Sequence, residues 1–105
     1  MIRKPLTEYG FKSDQLRAIY IFIRYAYISS QEGNEKLEGV EYFIDKANNF
    51  YVSYCLKTTK DGQESTALKY IVISEFGETT DLTPVYDNPN DLVKRYEKLY
   101  KIEIV

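Results

Sequence analysis

Few residues of this chain have side chains that could do chemistry, and histidine is absent. Without histidine, the chain lacks the most common general base and the most common protein ligand of transition metals. The single cysteine, Cys55, could act as a nucleophile only if a lysine or a helix N-terminus activated its thiol. Because Cys55 lies between Tyr54 and Leu56 in an alternating apolar run, we interpret it as a small packing side chain.

Two clusters of acidic residues have spacings that could support acid–base catalysis or metal binding. Glu35, Glu38 and Glu41 recur every third residue and would share one side of a helix, although a solvated helix face explains them more simply. Residues 87–91 group oxygen ligands as a calcium loop does, but they lack its turn glycine and its distal glutamate. The Asn-Pro pair within them favours a helix start. We therefore expect no enzyme, no metal site and no cofactor.

Tyrosine and charge are unevenly distributed. Tyrosine accounts for 11 of the 105 residues, and it suits binding surfaces as well as half-buried strands. Residues 1–31 hold five bases against two acids, whereas residues 32–105 hold nine bases against fourteen acids. Between Glu75 and Asp91 there are five acids and no base. Such a segment repels nucleic acid and attracts a basic protein, unless it is an ordinary solvated loop.

The overall composition limits the class of protein. A length of 105 residues with 44% hydrophobic content predicts a single small globular domain over residues 1–105. One cysteine excludes a disulfide framework and fits a reducing compartment. No apolar run is long enough to cross a membrane, and no signal segment is present, so we expect a cytoplasmic protein. The richness in isoleucine, lysine and asparagine is typical of proteins from low-GC bacteria and their phages.

The elements that position these residues are clear in some segments and ambiguous in others. Ser13 as an N-cap favours a helix over residues 16–28, but the β-branched and aromatic content leaves a strand open. If this segment is a helix, it is apolar nearly all round and must either enter the core or meet a partner. Residues 35–48 favour a second helix, with a strand through Val40, Tyr42 and Ile44 as the alternative.

The second half of the chain predicts a β-hairpin. Residues 50–59 and 66–76 alternate in polarity around an Asp61-Gly62 turn. Residues 79–86 predict an edge strand, residues 88–100 a last helix, and residues 102–105 a terminal strand. The predicted fold class is α+β, with an antiparallel three- to four-stranded sheet and two or three helices packed on one face.

These patterns predict a small macromolecule-binding protein of inhibitor, immunity or accessory type. Its tyrosine-rich and acidic surface would bind another protein, with no membrane involved. One candidate set lies on the outer face of the first helix and predicts self-association as a homodimer; its members are Ile21, Tyr25 and Ile28. The other set predicts a basic partner; its members are Glu75, Glu78, Asp81, Tyr86 and Asp87.

An alternative function is nucleic-acid binding or regulation by the basic N-terminal third. If residues 16–28 formed an exposed strand, Tyr20 and Phe22 would stack on bases beside Arg17 and Arg24. The acidic balance of the chain, with a pI of about 5.2, weighs against this alternative because phosphate neutralisation dominates such binding.

Overall fold

A long β-hairpin forms the centre of the fold. The computed structural model describes residues 1–83 and 98–105, with backbone only at residues 30–32. In it, strands β3 (Phe50–Lys60) and β4 (Gln63–Ile73) pair along their whole length. The turn residues Asp61 and Gly62 have φ values of 53° and 78°, and positive φ at both positions matches the twist of the strands. The hairpin predicted from the sequence is confirmed.

The other strands extend this hairpin on both sides. Strand β2 (Glu35–Ile44) pairs antiparallel with β3, and β6 (Tyr100–Ile104) pairs antiparallel with β2. Strand β1 (Ile2–Lys4) lies parallel to β6, and β5 (Thr79–Asp81) lies antiparallel to β4. Within the described ranges the sheet has the order β1-β6-β2-β3-β4-β5, and α1 (Ser13–Glu32) is the one α-helix.

The fold class is α+β, as predicted, but the detailed architecture differs. The sheet is mixed and six-stranded instead of antiparallel with three or four strands, and the helix expected at residues 35–48 is strand β2. A β-bulge explains this error, because the pairing of β2 with β3 slips between Glu38 and Glu41. Gly39 takes a φ of 59° there. The slip puts Leu37 and Val40 against the same core, and their three-residue spacing imitates a helix.

The last predicted helix and the edge strand are described only in part. Of the helix expected at residues 88–100, residues 88–97 lie outside the described residues. Tyr100, expected to be its last apolar position, begins strand β6 instead, and β6 confirms the predicted terminal strand. Strand β5 confirms the start of the predicted edge strand. Strand β1 was not predicted, because its partner β6 lies at the other end of the sequence.

The core lies between α1 and one face of the sheet. Phe50 of β3 and Ile73 of β4 are paired across the hairpin and are fully buried, as is Ile19 of α1. The ring of Tyr42 stacks on Phe50 at 5.4 Å, and Phe11 meets Phe50 edge-on at 5.6 Å. Full burial of a side chain of this size contributes about 1.5–3 kcal/mol, so Phe50 holds the helix, β2 and the N-terminal loop to the hairpin.

The start of α1 is tied to the sheet by one buried amide. Gln15 is almost fully buried, and its Nε2 donates to the carbonyl oxygens of Asn48 at 2.8 Å and Ile73 at 3.3 Å. The predicted N-cap is displaced by one residue, because Lys12 occupies the N-cap position without a side-chain hydrogen bond and Ser13 is the first helical residue. The start of α1 is therefore positioned by tertiary contacts instead of a capping hydroxyl.

The turn after β4 touches the same helix end. Gly77 has a φ of 79°, and a Cβ built there would lie 2.7 Å from the carbonyl oxygen of Asp14. No residue with a side chain fits this approach without moving the helix or the turn.

Within residues 1–83 and 98–105, no helix is both long enough and apolar enough to cross a membrane.

We expect Gly77→Ala to destabilise the protein more than Gly62→Ala does. Both glycines have positive φ, but nothing lies within 4 Å of a Cβ at Gly62. The free energy of unfolding should fall by roughly 2–4 kcal/mol at Gly77, where strain and overpacking add, and by about 1 kcal/mol at Gly62. Urea denaturation of both variants measures this difference, and equal losses would contradict the close approach to Asp14.

The β2–β3 turn is organised by one carboxylate. Asp45 accepts hydrogen bonds from the backbone of Ala47, from the backbone and side chain of Asn49, and from the Tyr51 hydroxyl at 2.8 Å. Burial by itself would raise the pKa of Asp45, but these hydrogen bonds outweigh it and hold the pKa below the ordinary value. The ionised carboxylate therefore stabilises the folded state.

Asp45→Asn should destabilise the protein near neutral pH and have less effect in acid. A pKa that is lowered in the folded state contributes stability above the unfolded pKa, and this stability is lost as the pH falls through the folded pKa. The difference in unfolding free energy between wild type and variant should therefore shrink below the usual titration range of aspartate. Urea denaturation across acidic pH tests this, and a difference that does not change with pH would contradict the assignment.

Candidate binding surface on the outer face of α1

Helix α1 buries only one side of an apolar segment. Gln15, Ile19 and Phe22 face the sheet. On the opposite side, the four large apolar side chains of Tyr20, Ile21, Tyr27 and Ile28 are between 44% and 67% exposed. We define the outer face of α1 by these four residues together with Arg17 and Arg24. Large exposed apolar side chains that are grouped on one face are a mark of interaction sites, whereas scattered ones are ordinary.

A shallow open groove of about 420 Å³ runs along the first half of this helix. Arg17 and Arg24 are two helical turns apart, roughly 10 Å along the axis. Both arginines are exposed, and neither pairs with an acid among the described residues. The groove therefore combines an apolar floor with two available guanidinium groups; its lining is Ser13, Leu16, Arg17, Tyr20, Ile21 and Arg24.

Tyr25 lies on the flank of the outer face and joins α1 to β2. Its hydroxyl donates to the Glu35 carboxylate at 3.0 Å. Burial, together with this hydrogen bond and the charge of Glu35, raises the pKa of Tyr25. Burial raises the pKa of Tyr54 as well, and electrostatic interactions with Tyr25, Asp81 and Glu35 raise it further. Both phenols stay protonated at physiological pH and can act as hydrogen-bond donors.

The predicted helix set lies on one element, whereas the acidic set is described only in part. Ile21, Tyr25 and Ile28 lie on α1 with between 43% and 64% of their surface exposed. Glu75 forms an ion pair with Lys12 at 3.0 Å, beside the start of the helix. Of the described acids of the second set, Glu75 and Glu78 lie in the turn between β4 and β5, and Asp81 lies in β5. Tyr86 and Asp87 lie outside the described residues.

Asp81 is already engaged within the chain. Burial by itself would raise its pKa, but hydrogen bonds from Thr83 and the charge of Lys69 lower the pKa below its ordinary value. The Lys69 ammonium lies 4.0 Å from the Asp81 carboxylate. Of the described acids in this set, Glu78 alone is exposed without an ion pair, so the other two carboxylates are already engaged within the chain.

The groups with possible chemistry are separated by the sheet. Glu35 lies on the helix side of β2, whereas Glu38 and Glu41 lie on the other side with Lys57 at 3.4 Å and Lys101 at 3.5 Å. In residues 1–83 and 98–105, no group of three or more histidine, cysteine, aspartate or glutamate residues could hold a metal ion.

The structure bears on two further interpretations of the sequence, the role of Cys55 and the nucleic-acid platform at residues 16–28. Cys55 is a free, half-buried thiol in the middle of β3, which agrees with a packing role. Residues 16–28 are helical and Phe22 is buried, so the stacking platform considered for nucleic acid does not form. Tyr27 was missed as a surface residue, although its spacing from Tyr20 and Arg24 places it on the same helix face.

Comparisons with known proteins give no relative. No family model matches the chain, and neither the curated proteins nor the solved structures contain a match.

The two sides of α1 should differ sharply in their tolerance of truncation. Ile19→Ala removes a fully buried side chain and should lower the free energy of unfolding by about 2–5 kcal/mol. Ile21→Ala removes a side chain that is 64% exposed and should change it by no more than about 0.5 kcal/mol. Urea denaturation compares the two variants, and a large loss at Ile21 would mean that the outer face belongs to the core.

Proposed function

We propose that the protein is a small binding protein of inhibitor or accessory type, which docks another protein on the outer face of α1. The observation that supports this is the concentration of exposed Tyr20, Ile21, Tyr27 and Ile28 beside two arginines on one helix. Aromatic residues and arginine are enriched in protein interfaces and dominate their binding energy. The free thiol of Cys55 fits a cytoplasmic setting for this interaction.

The two arginines define the chemistry of the partner. Arg17 and Arg24 have no acidic partner among the described residues, so their guanidinium groups are available for carboxylates of another protein. A guanidinium binds a carboxylate with two parallel hydrogen bonds. The partner therefore presents an apolar segment that fits the groove, with acidic side chains roughly two helical turns apart.

The charge pattern favours a different protein over a second copy on this face. A symmetric pairing of two α1 helices would place the arginines of both copies in one interface. The outer face holds two arginines, and the nearest described acid of the helix is Asp14 in its first turn, so an acidic partner satisfies both arginines more completely than a second copy does. We therefore favour a partner of complementary charge over the homodimer predicted through Ile21, Tyr25 and Ile28. A basic partner has less support, because Glu75 and Asp81 already pair with Lys12 and Lys69.

Affinity capture with surface variants tests this function. The tagged protein is incubated with bacterial lysate after nuclease treatment, and the retained proteins are identified by mass spectrometry. We expect a protein that is retained by the wild type and lost with Ile21→Ser and with Arg24→Glu. The first variant removes apolar contact, and the second reverses a charge that faces the partner's carboxylates.

Two control variants match these changes elsewhere on the surface. Val105→Ser removes an aliphatic side chain that is 69% exposed at the end of the chain, and Lys46→Glu makes the same charge reversal in the exposed β2–β3 turn. Both controls should retain the partner. A set of captured proteins that is the same for all five proteins would contradict binding through the outer face of α1.

A further inference from the structure

The outer face of α1 repeats itself after seven residues. An arginine, a tyrosine and an isoleucine lie on this face, and the same three side chains recur in the same order seven residues later. All six are exposed, whereas Gln15, Phe22 and Ser29, which are also seven residues apart, are buried against the sheet. The repeated pairs are Arg17 and Arg24, Tyr20 and Tyr27, and Ile21 and Ile28.

The arginines and isoleucines form one straight seam along the helix. Residues seven apart lie almost above one another, because two helical turns take about 7.2 residues. The seam runs in steps of four, three and four residues, which is the spacing of the two contact positions in a pair of packed helices. Its members are, in order, Arg17, Ile21, Arg24 and Ile28.

Tyrosines border this seam on both sides. Tyr25 lies on the side of β2, where its hydroxyl donates to the Glu35 carboxylate at 3.0 Å. Tyr20 and Tyr27 each precede an isoleucine of the seam and lie on its other side. Tyrosine rings at the border of an interface add apolar contact and keep their hydroxyl groups in water. The seam is therefore built as a contact line with two walls.

We infer that the partner of the outer face is an α-helix that packs side by side with α1 along this seam, an inference that rests on the proposed function. The partner helix places two carboxylates, seven residues apart, opposite Arg17 and Arg24. It places apolar side chains, also seven residues apart, opposite Ile21 and Ile28. The two axes lie about 8–10 Å apart and cross at roughly 20°, so that each seam side chain fills a space between side chains of the other helix.

The length of the repeat selects a helix over an extended partner segment. Ile21 and Ile28 are roughly 10 Å apart along the axis of α1. Side chains on one face of a strand recur at about 7 Å and about 13 Å, and neither spacing matches the two isoleucines. Side chains seven residues apart on a second helix recur at roughly 10 Å, so they match both isoleucines at once.

A second copy of α1 does not fit this seam. With the two seams aligned, helices in the same direction place arginine opposite arginine, and helices in opposite directions place each arginine opposite an isoleucine. Neither direction brings Asp14, the acid in the first turn, opposite Arg17 or Arg24. A guanidinium group buried without a carboxylate is costly. The seam therefore fits a helix of different sequence whose charge complements the arginines.

Photo-cross-linking measures the spacing of the contacts on the partner. The cross-linking residue p-benzoylphenylalanine replaces Ile21 or Ile28, one at a time, in the full chain; its apolar rings keep the contact. Each variant is irradiated with the captured protein, and the labelled residues are identified by mass spectrometry. We expect labels about seven residues apart on a helical partner, whereas an extended segment would give labels about three residues apart.

A control variant carries the same cross-linking residue in place of Leu68. This side chain is 62% exposed and lies three residues from the core residue Ile71, so it points to the side of the sheet away from α1. It should not label the captured protein.

Exchange of charges tests which partner side chains face the arginines. Arg24→Glu should weaken binding of the captured protein by at least about ten-fold, and a lysine in place of the facing acid of the partner should restore it. A lysine in place of an acid on the opposite side of the partner helix is the control and should not restore it. The acid whose replacement rescues Arg17→Glu should lie seven residues from the acid that rescues Arg24→Glu.

The outcomes separate this inference from the proposed function. Labels about three residues apart, or rescuing acids with another spacing, would overturn the helical partner and leave binding through the outer face standing. If no protein is captured through the outer face of α1, or if the Leu68 variant labels the same partner residues, the proposed function fails and the helical partner fails with it.

Discussion

The packing of α1 against the hairpin is the interaction on which the rest of the structure depends. Phe50, Ile73 and Ile19 close the core at its centre, and Gln15 fixes the start of the helix to two carbonyl groups of the sheet. A helix that lies on one face of a sheet can bury only one side of its circumference. Because residues 16–28 of α1 carry large apolar side chains on both sides of the helix, the packing that stabilises the fold also exposes a second apolar side, and this side is the proposed binding surface.

The sequence predicted the local elements of this fold better than the long-range ones. The hairpin could be recognised because alternation and the Asp61-Gly62 turn are local signals. Strand β2 was mistaken for a helix because the bulge at Gly39 changes the spacing of its apolar residues. Strand β1 could not be predicted, because it forms through parallel pairing with β6 and through the hydroxyl of Tyr9, which donates to the carbonyl of Glu103 across 94 residues.

The same distinction applies to the binding surface. Helical periodicity alone puts Ile21 and Ile28 on one face, so the apolar set could be proposed before the structure was known. The acidic set was predicted from a segment of the chain that contains acids and no base, and such a segment does not show which lysines from elsewhere in the chain lie beside these acids in the fold. The structure places Lys12 against Glu75 and Lys69 against Asp81, and neither pair is recognisable from spacing. Exposed pairs of this kind contribute little stability, but they occupy the carboxylates that a basic partner would need.

The most direct test of the central claim is methyl NMR of the isoleucines while the captured partner is titrated into the full chain. Isoleucine methyl groups occur on both sides of α1 and in the sheet, so one spectrum compares the outer face with the core. We predict that the methyl signals of Ile21 and Ile28 shift or broaden first, while those of Ile73 and Ile102 stay in place. Ile73 and Ile102 are buried in the core between the sheet and α1. Unchanged signals from Ile21 and Ile28 at saturating partner would contradict the account.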